Sequence, residues 1–77
     1  MTEKQQIIYM QVRIMRLASE AWNLPIETIS EIFSKFDVLQ YIKSCFGIFH
    51  VEGDDAIFDD VTAYLENRGG LSSAGID

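Results

Sequence analysis

Apolar residues recur along this chain with a period close to that of an α-helix, interrupted by turn residues, and the rhythm predicts an all-α bundle of about four helices. The first segment, about Lys4 to Trp22, places Ile7, Met10, Ile14, Leu17, Ala18 and Ala21 on one stripe. Ile8, Val12, Met15 and Trp22 make a second stripe beside it, and only Tyr9, Arg13, Arg16 and Glu20 mark a solvated edge. An apolar arc about 200° wide is broader than a helix covering one side of a core requires. Either this helix lies centrally among the others or its second stripe meets another molecule. In so small a domain the second is expected, with Ile8, Val12, Met15 and Trp22 as contact residues.

Asn23-Leu24-Pro25 ends that segment, and Pro25 suits the first position of the next, where its missing N–H would be unpaired anyway. The second helix, about Pro25 to Lys35, turns Ile26, Ile29, Ile32, Phe33 and Phe36 inward. Asp37 is placed to cap a third, about Val38 to Phe49, whose inner face is Val38, Leu39, Ile42, Cys45, Phe46 and Phe49. Gly47 lies inside it at a cost of about 1 kcal/mol relative to Ala, unless a close contact needs the missing side chain. A short strand near residues 47–51 is the alternative, given Ile48, Phe49 and Val51. The turn from His50 to Asp55 relies on Gly53 for an unusual backbone angle and on Asp54 or Asp55 as a cap. The fourth helix, about Asp55 to Asn67, buries Ile57, Phe58, Val61, Tyr64 and Leu65 and stops on Gly69. The domain is then residues 1–69, and residues 70–77 are expected to be a flexible, disordered tail.

A chain of 77 residues is one domain at most. It buries roughly 8,000 Å² on folding. That burial is worth on the order of 120 kcal/mol if about 60% is apolar, while ordering the chain costs on the order of 115 kcal/mol. The near-cancellation leaves a lone copy marginal, and burial against a partner or a second copy would stabilise it. One cysteine, Cys45, excludes an internal disulfide and suits a reducing compartment. MTEKQQII at the start is not a secretory leader, and no apolar run reaches membrane-spanning length, so a cytoplasmic location is expected.

The formal net charge is −6, and it arises wholly after residue 49: basic and acidic side chains balance before that point. A phosphate backbone needs a basic stripe, so no nucleic acid is expected as a partner. The acidic half suits solubility, or attraction to a basic protein surface.

Catalytic chemistry finds little material. His50 is the only histidine, and Cys45 lies five residues before it, on a different helical face. The pair lacks the arrangement of a nucleophile and its base. A backbone hydrogen bond that holds the turn is the simpler role for His50. Glu52, Asp54, Asp55, Asp59 and Asp60 lack the ligand spacing of a calcium loop, and one His with one Cys is too few ligands for zinc. No phosphate-binding glycine motif occurs. No enzyme activity, cofactor, metal or small-molecule substrate is expected.

Several residues carry a resemblance: Asn23-Leu24-Pro25, the step Asp37-Val38-Leu39-Gln40-Tyr41-Ile42, Phe49-His50 ahead of Gly53, and Asp60-Val61 through Tyr64-Leu65-Glu66-Asn67-Arg68-Gly69. Through them residues 5–69 resemble a family of small bacterial helical domains of unknown function, some encoded beside genes for ADP-ribosyltransferase-like toxins. The resemblance implies a short cytoplasmic helical protein without catalytic residues. It also implies the accessory or antitoxin-like half of a two-gene system. The expected function is therefore a non-catalytic protein-binding module. The alternative is a structural domain that self-associates as a homodimer.

Overall fold

In the computed structural model, which describes residues 1–73, the chain enters α1 (Glu3–Trp22) through a reciprocal cap. The Gln5 amide donates to Thr2 Oγ1 at 3.2 Å, and the Thr2 amide donates to Gln5 Oε1 at 2.9 Å. Two otherwise unpaired N–H groups are thereby satisfied. Asn23, left-handed at φ 53°, ends the helix, and Ser19 Oγ donates to the Leu24 carbonyl at 2.6 Å to hold the turn.

α2 (Ile26–Lys35), α3 (Val38–Ser44), α4 (Phe46–Phe49), α5 (Asp54–Asn67) and α6 (Gly70–Ser73) follow, and no strand occurs among the described residues. The fold is all-α. α1 runs through the middle and packs against α2, α3 and α5, while α3 also touches α2 and α5. Met10, Ile14 and Ala18 of α1 enter the core beside Ile29, Phe33, Val38, Ile42, Ile57, Val61 and Leu65. Side-chain bonds to backbone join the layers. Gln11 Nε2 donates to the Leu39 carbonyl at 2.9 Å, and Tyr64 Oη donates to the Phe36 carbonyl at 2.8 Å.

Several local expectations change. Pro25 precedes α2 as its cap residue (φ −64°, ψ 153°) rather than opening the helix, and its carbonyl accepts from the Thr28 and Ile29 amides. Asp37 does stand at the start of α3, but as a left-handed residue (φ 60°) whose side chain makes no capping bond. Its backbone conformation, which Asp adopts more readily than most residues, is what the position uses. Gly53 is equally ordinary in angle (φ −76°, ψ 157°), so its freedom is not needed, and Asp54 and Asp55 lie in the first turn of α5 instead of capping it. There they favour the positive end of the helix dipole.

The single helix expected over Val38–Phe49 is two, meeting at Cys45 (φ −95°, ψ 4°). The strand alternative is overturned, because Phe46–Phe49 forms a helical turn. A Cβ on Gly47 would touch nothing within 4 Å, so no close contact requires the glycine. Gly47→Ala is expected to raise stability by about 0.5–1 kcal/mol, read as a higher urea midpoint at unchanged slope.

At the C-terminal end Gly69 is left-handed (φ 72°), and the chain turns back instead of leaving. A Cβ on Gly70 would lie 2.8 Å from Leu65 Cδ2, a fully buried side chain with nowhere to move, so only glycine fits. Leu71 then enters the core, 7% exposed. The folded unit thus reaches past residue 69, and residues 70–73 are helical rather than a tail. The rest of the expected tail, residues 74–77, lies outside the described residues. Leu71→Ala is expected to cost about 2–3 kcal/mol in urea unfolding, where a tail residue would cost nothing.

Candidate functional site

The wide apolar arc of α1 is divided by its neighbours. Three helices cover Met10, Ile14 and Ala18 completely and Ile7, Met15 and Leu17 in part. Ile8 remains 46% exposed and Val12 39% exposed, at the margin of what α2 and α3 cover. Central placement holds, and of the second stripe only Ile8 and Val12 are left largely open. Trp22 parts from the stripe: its ring lies 5.5 Å from that of Phe58 in α5, and it is partly buried against the core. It stabilises the α1–α5 junction rather than the open face.

Ile26 takes its place. Periodicity sends it inward, yet at the first turn of α2 it is 41% exposed and lines a shallow depression with Val12, Met15, Arg16, Ser19 and Glu20. That depression has a volume of about 510 Å³. A second, of about 630 Å³, is lined by Glu3, Lys4, Ile7, Ile8, Gln11 and Lys43. Val12 lines the first and Ile8 the second, so the two hollows adjoin along α1. The open face of α1 is therefore an apolar strip with a hollow at either end and charged groups along the rims.

Elsewhere the polar groups serve the fold. Arg13 meets Asp54 through Nε at 3.0 Å, an exposed pair joining α1 to α5. Such pairs contribute little to stability. His50 Nδ1 lies 2.9 Å from the Phe46 carbonyl, and its ring stacks on Phe46 at 5.3 Å. A carbonyl only accepts, so Nδ1 carries the proton. Cys45 is half-buried. Among the described residues no group of three or more His, Cys, Asp and Glu is arranged to hold a metal ion.

A second cluster was not foreseen from the sequence. Tyr41 and Tyr64 stack at 4.1 Å, the Arg68 guanidinium lies 3.7 Å above the Tyr64 ring, and Phe49 meets Tyr41 edge-on at 6.0 Å. Tyr41 Oη donates to Asp60 Oδ1 at 2.7 Å. Burial, followed by the hydrogen bond and charge of Asp60, raises the Tyr41 pKa well above the ordinary tyrosine value. Since the folded value is raised, this group's contribution to stability is complete below about pH 10 and is lost as pH rises through the folded value. Stability should therefore decline on the alkaline side. Tyr41→Phe is expected to flatten that decline, and Asp60→Asn to reduce it only in part because burial is the larger cause. Urea midpoints from about pH 8 to about pH 11 read both.

Fold and surface together define a small all-α domain with one uncovered apolar helix face. The chain belongs to the family described as protein of unknown function (DUF3791), which matches residues 9–68. No curated protein and no solved structure matches it. Within the described residues, no helix is long and apolar enough to cross a membrane.

Proposed function

We propose that this chain is a non-catalytic protein-binding module that docks its partner on the open face of α1, through Ile8, Val12, Met15 and Ile26. The observation that carries this reading is the exposure of Ile8 and Val12 on a helix otherwise enclosed by three others. Single exposed apolar residues are ordinary, but here they are contiguous and flanked by two hollows. The resemblance to bacterial domains encoded beside ADP-ribosyltransferase-like toxin genes supports a cytoplasmic role as the accessory or antitoxin-like half of a two-gene system.

Co-purification of the full chain with the product of the neighbouring gene tests this. A complex weakened by changes at Ile8 and Val12 is expected; absence of any complex at micromolar concentration would remove the reading. A homodimer formed through the same strip is the other use of this face. Light scattering across a concentration series separates the two, because self-association needs no second gene product.

A further inference from the structure

The cations of this chain fall into two groups. Arg13 is paired with Asp54, Lys35 lies over the Phe36 ring and Arg68 over the Tyr64 ring. Lys4, Arg16 and Lys43 have no ion-pair or ring partner among the described residues, and all three line the hollows on the open face of α1. Glu3 and Glu20 share those rims, leaving this face with one net positive charge on a chain whose formal charge is −6. We infer that the occupant of this face is an amphipathic helix of a partner protein whose apolar anchors are flanked by carboxylates. The inference rests on the protein-binding reading above and narrows it to a chemistry. It also reverses the expectation that the acidic half of the chain would select a basic surface, because the acidic residues lie away from the apolar strip.

Geometry favours a helix as the occupant. Along α1 the hollows centre near Ile7 and near Arg16, so they lie roughly 14 Å apart at 1.5 Å rise per residue. That separation is between two and three turns, within the span of anchors set at i, i+4, i+7 and i+11 on one face of a helix, the usual way a helix fills a groove. Val12 lines one hollow and Ile8 the other, and carboxylates on the flanks of the incoming helix would meet Lys4 and Lys43 at one end and Arg16 at the other. A second copy supplies no such match. An antiparallel two-fold pair centred on Val12 would bring Lys4 to Glu20, but it would also set Arg16 against Ile8 and oppose two faces of the same net positive charge. An anionic bilayer would be repelled by the net charge and is too flat to fill the hollows.

Two synthetic helical peptides test the inference, both with leucines at i, i+4, i+7 and i+11, one flanked by glutamates and the other by lysines. Binding to the isotopically labelled full chain is followed by amide and methyl NMR shifts. The glutamate peptide is expected to shift Ile8, Val12, Met15 and Ile26 and to bind about tenfold or more tightly than the lysine peptide. The exposed double variant Lys4→Glu/Lys43→Glu should invert that order. Equal binding of the two peptides, no binding of either, or preference for the lysine peptide would overturn it. So would concentration-dependent dimerisation through Ile8 and Val12, or binding to vesicles of anionic phospholipid. A natural partner that occupies the strip with a basic helix would end this inference and leave the protein-binding reading standing; loss of every co-purified partner would end that reading.

Discussion

Phe49→Ala is expected to unfold a large share of the molecules at 25 °C. Phe49 is 1% exposed and closes the one-turn helix α4 onto the core, with Tyr41 edge-on against its ring. Removing a buried aromatic side chain forfeits its transfer energy and leaves a cavity, together costing about 3–5 kcal/mol. A domain of 77 residues is stable by roughly 4–12 kcal/mol at the usual value per residue, so this one change consumes much or all of that margin. The loss should spread, because Tyr41 also stacks on Tyr64, whose hydroxyl donates to the Phe36 carbonyl. Trp22, the only tryptophan, reports unfolding by its fluorescence as it leaves Phe58. Phe49→Leu should cost far less, about 1–1.5 kcal/mol, since most of the volume stays. A cost below about 1 kcal/mol for the alanine variant would mean that α4 is not part of the cooperative core.

The double variant Ile8→Glu/Val12→Glu is expected to do the opposite: leave the fold intact and abolish binding. Ile8 and Val12 lie at the edge of the fold rather than in its core, at 46% and 39% exposure, so the two changes together should lower urea stability by no more than about 1–1.5 kcal/mol. At an interface the same change would bury two unpaired charges where apolar anchors belong. A loss of about 2 kcal/mol or more at each position, on the order of 1,000-fold in affinity together, follows from the usual cost at such centres. Pull-down of the neighbouring gene product by the variant and the parent chain measures it. Retention of full binding would place the contact elsewhere on the molecule.

These two variants separate residues that the periodicity alone could not sort. Ile14 and Ile8 are both apolar members of α1, and the six-residue step between them gives a rotation that a helical wheel records without saying how far the neighbouring helices reach. The coverage stops between Met15, partly buried, and Val12, exposed. Trp22 lies close to Met15 on the wheel, yet the length of α1 carries it to the level of Phe58 in α5, where it is covered. Ile26 goes the other way, because the left-handed turn at Asn23 and the extended Pro25 bring the first turn of α2 up beside α1. The signal for the α1 start was local and available: Thr2 followed three residues later by Gln5 is a capping-box pattern. Leu71 had no such signal, since one leucine among Gly, Ser and Ala resembles a polar end. Only its burial in the assembled core shows where it goes.

The all-α class, the four longer helices and most of the core follow from the chain alone, because spacing at 3.6 residues per turn and turn-forming residues act over a few positions. The tertiary structure decided the break at Cys45, the left-handed Asp37, the stacking of Tyr41, Tyr64 and Arg68, and above all which part of the apolar arc stays open. Those outcomes depend on the width of each neighbouring helix and the angle at which it crosses α1. Such quantities arise from contacts between residues far apart in the chain, and local pattern carries no record of them.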